Sequence, residues 1–533
     1  MKHAYIDGRI YQGSGRFTEA MWVGDGRILA TGKTQEILAL IDPDTHVQSL
    51  QNKTVIPGFN DAHLHFYNSA RVQDWVQLWT CVSIDDLLHQ TSQALAHHSD
   101  DVLYGMGWNQ EKFDVDDKRF PSRMDLDRLN SSKPIVLYRV DGHVVVLNSL
   151  ALARLFDPHH PPSIEGGVID CDAQGVATGV LREKALDLLV HLPESTNPKR
   201  LAQRIDRMVQ RALSYGITSV QVNDLMLNDQ ADALEAAYLA YFEQHQTIRL
   251  NHQICFTSLD AFKQRLRAGY SAQNSAFLRY GPLKLFADGT LGAKTAALRH
   301  SYRNEPNNFG VLTMSDATLQ TWIQTAHAHQ VGVVVHAIGD RALHQVLDAY
   351  ASLNDPQNQQ RNAIIHVQIS DYSSLKRMEA LNIGALVQPI FLNQDWRILH
   401  DRVEPDLAAS SYAFNTLNTL KLVCAYSSDA PIESINPFEN LHCAVLRQDL
   451  HDQPEGGFYP NERVSLMDAL DAYTAAGAYF SFEEQEKGRL ETGYLADFAI
   501  LDRDIFELPL SELKSTQVLK TFVHGNCVYE KDA

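Results

Sequence analysis

Short apolar runs that close on polar or glycine residues recur along the middle of the chain, at 54–62, 217–223, 248–255, 281–287, 331–337, 362–367, 383–389 and 421–427. Most are followed by a stretch with apolar residues at helical spacing. In Ser315 to Gln330, Ser315 stands where an N-cap belongs, and Leu319, Trp322, Ile323 and Ala326 fall on one face. Eight strands alternating with helices predict an α/β fold, a (β/α)8 TIM barrel over 54–484.

Two regions depart from the alternation. Residues 1–53 read as short strands and turns, with Gly24-Asp25-Gly26 between two apolar runs as a hairpin signal. Residues 485–533 look alike: Ala499-Ile500-Leu501, a turn at Asp502-Arg503-Asp504, then Val518 to Val528 broken by His524-Gly525-Asn526. The two ends are expected to build one small β domain together. Between the first and second runs lie about 150 residues, too many for a βα connection. That stretch has its own strands, Val102 to Met106 and Ile135 to Val140, and a turn-rich part from Gly166 to Gly179. It reads as an inserted subdomain over 70–200. Because βα loops lie at the catalytic face of such barrels, the insertion should cover the site.

Composition narrows the partners. The 533 residues suffice for a large barrel with additions, and no disulfide help is needed. With 46 Lys plus Arg against 65 Asp plus Glu, the net charge of -19 argues against nucleic acid and anionic membrane as partners. Six cysteines without a C-x-x-C pair argue against a disulfide framework and a zinc knuckle. The N-terminus lacks the apolar core of a signal peptide, and no stretch approaches the ~18 apolar residues of a membrane span. A cytoplasmic protein acting on a small molecule is expected, with a homo-oligomer as the general expectation for soluble enzymes.

His63-Leu64-His65 carries little weight alone, since 23 histidines in 533 residues give about one H-x-H by chance. Position decides. His327-Ala328-His329 lies in a predicted helix, where i and i+2 do not share a face. His63 and His65 end a predicted strand, where i and i+2 point the same way and can chelate. His336 and His366 each close an apolar strand, and Asp429 closes the eighth run. Each alone reads as a core, loop or capping residue. Together, four histidines and a carboxylate at the carboxyl ends of strands converge on the catalytic face with the donor types of zinc or a similar divalent ion. Lys284 alternates onto one face with Phe286 and Asp288, opposite Leu283, Leu285 and Ala287. An ammonium cannot ligate a metal, although a carbamate formed with CO2 could bridge two. Spacing alone favours a neutral or ion-paired lysine.

With these residues in hand the chain resembles the amidohydrolase superfamily, specifically the family 3 or YtcJ-like branch. The likeness runs nearly end to end. It is carried by Val55 to His65, Gly105-Met106-Gly107-Trp108-Asn109, Asp141-Gly142-His143, Gly216 to Val220, Lys284 to Gly292, His336 to Asp340, Ser428 to Pro431 and Gly493 to Asp497. The resemblance implies a barrel with a β-sandwich from both termini. It implies ligands at His63, His65, His336, His366 and Asp429 for one or two divalent ions, zinc by type, and a carbamylated Lys284. It implies hydrolysis of a non-peptide C–N bond, an amide or N-formyl group as in the N-substituted formamide deformylases, with Asp429 as acid–base. His143 is a candidate oxyanion donor, and Trp108, Asn109, Asp141, Asp288 and Arg299 are candidate substrate contacts. Each of these also has a structural reading: insertion core for Trp108, a hydrogen bond for His143, an ion pair for Arg299. One departure stands out, Ile365-His366-Val367-Gln368, where relatives often have Glu before the histidine and Ala after it. Two other readings remain: a mononuclear deaminase or other hydrolase, and a binding or regulatory protein on a retired scaffold. Deaminases of the superfamily usually carry a proton-shuttling Glu after the fifth-strand histidine, whereas Ala337-Ile338-Gly339-Asp340 follows here.

Overall fold

The computed structural model describes residues 2–97, 101–114, 118–164, 166–192, 197–228 and 232–532. Eight parallel strands form the barrel: Phe59–Leu64, Ile217–Val222, Arg249–Phe256, Leu278–Phe286, Val333–Ala337, Ala363–His366, Gly384–Val387 and Cys424–Tyr426. Each pairs with the next in chain order. Between the eighth strand and the first, the ring is joined just beyond the strand ends. Asp429 N–H donates to His63 O at 3.0 Å and His65 N–H to Ala430 O at 2.8 Å. The helix read from Ser315 onward spans Asp316–Ala328, with the Ser315 side chain accepting from Thr318 N–H and Leu319, Ile323 and Ala326 buried.

The run at 54–62, expected as one strand, is two. Thr54–Pro57 belongs to the β domain and Phe59–Leu64 to the barrel, and Gly58 is the joint. A Cβ on Gly58 would lie 2.2 Å from Thr218 Oγ1, so the Thr218 side chain fills the space that a side chain there would need.

The β domain is a sandwich of two sheets. One holds four strands within Met1–Ser49, and the other joins Arg9–Gly13, Arg16–Thr18 and Thr54–Pro57 to Phe498–Leu501, Val518–Val523 and Asn526–Glu530. The N- and C-terminal portions are stitched directly by the antiparallel pair of Thr54–Pro57 with Phe498–Leu501. Tyr5, Met21, Ile28, Val55, Phe498 and Phe522 fill the space between the sheets. Burial of each such large side chain is worth roughly 1.5–3 kcal/mol.

The insertion builds its own six-stranded sheet, from Val76–Gln77 to Ala177–Glu183 in sequence, and is buried on both faces. Val144 and Val146 point to one core, Val145 and Leu147 to the other, as strand alternation requires. The chain re-enters the barrel through the helix Pro198–Ser214. Among the described residues, no helix is long and apolar enough to cross a membrane.

Candidate metal centre

The first strand delivers His63 and His65 to the same side, and each ring is fixed by its Nδ1. Nδ1–H of His63 donates to Gln253 Oε1 at 2.5 Å, and Nδ1–H of His65 donates to the Asn223 carbonyl at 2.8 Å. Those acceptors decide the tautomer and leave the lone pair of Nε2 free on both rings. Both Nε2 atoms face Asp429 Oδ1, at 3.5 and 3.4 Å. The donor atoms of His63, His65 and Asp429 all lie within 4.8 Å of one another. Asp429 adopts a left-handed φ of 55°, a conformation that costs a non-glycine residue of order 1–3 kcal/mol and is typical of functional positions. Burial raises its carboxyl pKa, but His65, His63 and Lys284 outweigh burial and bring it below the ordinary value. Beneath it, Asp61 accepts from Ser428 N–H at 3.1 Å and from the Tyr473 hydroxyl at 3.1 Å. Full burial still pushes the Asp61 carboxyl up to about 7.

The opposite half of the mouth holds His336 and His366, ring centroids 4.5 Å apart. Nδ1–H of His366 donates to Gln388 Oε1 at 2.8 Å, which frees its Nε2. His336 is turned the other way: its Nε2 meets the Gly289 carbonyl at 3.2 Å, which frees Nδ1. Burial, followed by the neighbouring imidazole or lysine charge, drives His63, His336 and His366 far below the usual histidine range, so these rings are neutral. Between the halves lies Lys284, fully buried, with its Nζ 4.2 Å from the Phe286 ring centroid and without a hydrogen-bond partner among the described residues. Burial lowers its pKa to about 8, against the pull of Cys255 and Asp429.

Residues 46–529 match the sequence model of the amidohydrolase family. The chain belongs to that family. It is 31% identical over 536 residues to the putative amidohydrolase YtcJ of Bacillus subtilis (strain 168), covering 100% of both chains. It is 26% identical over 529 residues to an N-substituted formamide deformylase of Arthrobacter pascens, covering 96% of this chain and 95% of that one. A solved structure, an uncharacterized metal-dependent hydrolase from Pyrococcus horikoshii OT3, matches with a TM-score of 0.77 at 26% identity over 96% of this chain and 99% of its own. A hydrolase on the amidohydrolase barrel is thereby established.

The remaining sequence-derived residues of this amidohydrolase lie around the mouth or away from it. Trp108 corrects the expectation of a substrate contact: it is fully buried in the insertion core and its indole N–H donates to the Leu137 carbonyl at 2.9 Å. Arg299 is a second correction. Its side chain is half exposed and reaches Asp371 at 3.5 Å, an ion pair of the loop surface. Asp288 is fully enclosed, accepting from Ile338, Gly339 and Ala297 N–H at 3.0, 2.7 and 2.9 Å. Its carboxylate ties the fourth-strand loop to the residues that follow the fifth strand. Asn109 and Asp141 both accept from Arg139, at 3.3 and 2.6 Å, and so shape the turn that carries His143. His143 Nδ1 lies 2.9 Å from Glu183 Oε2. The control pair also separates, since His329 caps its helix on the exposed surface against Thr325 O.

Sequence reading missed Gln253, Gln388, Asp61 and Glu183. Asn251 and Gln253 alternate with Leu250, His252 and Ile254, so the pattern did carry polar residues on one face of the third strand. The departing positions, Ile365 and Val367, are both buried among apolar side chains, and Gln388 holds the His366 ring.

Proposed function

We propose that this amidohydrolase cleaves a non-peptide C–N bond, an amide or N-formyl group of a small molecule, with divalent metal held by His63, His65, His336, His366, Asp429 and a carbamylated Lys284. The observation that carries this reading is the state of the donors. Four rings each have one nitrogen engaged and one free, while Lys284 Nζ and Asp429 Oδ1 are buried without hydrogen-bond partners among the described residues. Unpaired buried polar atoms cost of order 1–3 kcal/mol each, and a shared cation is the ligand that would satisfy this set at once. Imidazole and carboxylate donors fit zinc. The likeness to a named formamide deformylase supports the bond type.

Such an ion supplies Lewis acidity and lowers the pKa of water to roughly 7. The chain's own residues do the rest. Asp429 orients the attacking water, takes its proton and passes it to the departing nitrogen. His143, at the rim of the mouth, donates a hydrogen bond to the carbonyl oxygen as negative charge builds there. The insertion that carries His143 keeps bulk water out.

A one-ion hydrolase is the second reading, favoured by the fact that, among the described residues, His63, His65 and Asp429 gather within 4.8 Å. Elemental analysis of protein purified without chelator and with bicarbonate separates the two. About two zinc-like ions per chain, with release of formate from simple N-substituted formamides, supports the proposal. One ion demotes Lys284, and none after metal is supplied overturns the hydrolytic centre.

A further inference from the structure

We propose that Glu183 is the positioning residue for His143, turning Nδ1 away from the site and presenting Nε2 to the substrate's carbonyl oxygen. This deepens the reading above and rests on it for the identity of the acceptor.

The two residues stand side by side at the ends of two paired inner strands of the insertion sheet. His143 precedes the strand Val144–Leu147 and Glu183 ends the strand Ala177–Glu183, with Val144 opposite Arg182. Glu183 N–H donates to the His143 carbonyl at 3.0 Å, and its side-chain Oε2 accepts from His143 Nδ1 at 2.9 Å. The backbone of Glu183 is left-handed, φ 52°, a conformation kept only where the surroundings enforce it. The enforcement is visible: a Cβ at Gly289 would come within 3.2 Å of Oε2, and the next residue, Lys184, donates through Nζ to the Thr313 carbonyl. The fourth-strand loop thus closes on the carboxylate from the barrel side.

His143 Nε2 has no hydrogen-bond partner among the described residues, and the side chain keeps 29% exposure at the mouth. The charged groups that face the ring are Glu183, Asp141 and Asp429, with His336 and His366 as neutral neighbours. Burial lowers the His143 pKa, but Glu183 and then Asp141 and Asp429 outweigh it and raise the imidazole to about 9. A carboxylate 2.9 Å from Nδ1 favours the imidazolium, in which both nitrogens carry protons, so the nitrogen not used by Glu183 is a donor. No proton needs to leave it during the reaction, so the step is hydrogen bonding alone.

The test uses the metal-loaded enzyme, Glu183→Gln as the near-isosteric variant, and Glu183→Ala. Deuterium exchange at the His143 imidazole carbon, read by peptide mass spectrometry across pH, reports its titration without any substrate. The expected result is a midpoint that falls in both variants relative to the parent enzyme, because the carboxylate at Nδ1 is gone. On a turned-over amide, kcat should fall roughly 10- to 100-fold with little change in KM, and His143→Gln combined with Glu183→Gln should cost no more than the larger single loss. An unchanged exchange midpoint, or additive losses in the double variant, overturns the proposal. If the enzyme hydrolyses no amide, the functional reading fails, and the exchange midpoint still decides whether Glu183 governs His143.

Discussion

Gln253 accepts from Nδ1 of His63 through Oε1 at 2.5 Å and donates through Nε2 to the carbonyl of Ala62 at 2.9 Å, so one amide grips both the ring and the backbone beside it. The grip reaches from the third barrel strand past the second to the first and spans 190 residues of sequence. It leaves His63 one tautomer and one orientation, with Nε2 toward Asp429. A metal ligand held this way binds without reorganisation.

Replacing Gln253 by Leu therefore weakens metal affinity by roughly 10- to 100-fold, with the barrel still folded. Competition with a coloured chelator measures it. Affinity equal to that of the parent enzyme would show that His63 needs no orienting partner.

Asp429→Asn keeps the backbone bond from residue 429 to His63 O and removes the proton acceptor. A loss of about 10²- to 10⁴-fold in kcat is expected, the usual range for general acid–base groups. Steady-state kinetics under saturating metal checks this, and a loss confined to KM would move Asp429 out of the proton-transfer role.

Lys284 is a buried amine without a hydrogen-bond partner among the described residues, so in the metal-free protein it opposes folding. Lys284→Met should raise the Tm of chelator-treated protein while lowering metal content and activity of the loaded enzyme. A lower Tm in the metal-free variant would show that the lysine has a partner that stabilises the fold.

Stability should also depend on pH through His143. Its folded pKa, about 9, lies above the ordinary unfolded value, so its contribution is complete below about pH 6.5 and is lost as pH rises through 9. The carboxyl of Glu183 is depressed despite burial, because His143 stabilises its charge, and its contribution is lost as pH falls through the acid range. Thermal melts of the parent and Glu183→Gln proteins should differ most between about pH 5 and 6.5 and converge toward pH 10. A constant gap from pH 6 to 10 would assign the effect to packing.

By itself the sequence determined the barrel, because eight apolar runs alternating with helices leave few other ways to bury them. It also determined that His63 and His65 point together, since a period of two along a strand fixes the face of i and i+2 wherever the strand lies. His336, His366 and Asp429 were legible for the same reason, each closing a strand whose carboxyl end is the catalytic face. Periodicity says which way a side chain leaves its own element, not what it meets. Trp108 had the residue type of a pocket wall, and only the insertion's packing shows it sealed in a core. Gln253, Gln388 and Glu183 are ordinary polar residues in the chain, and they matter because strand register brings them to His63, His366 and His143. The division at Gly58 was missed as well: Pro57-Gly58 is a break signal, but a dipeptide does not say that the two sides join different sheets. Which face a residue takes is a local property of the backbone, but which partner it finds there is settled only when distant segments pack.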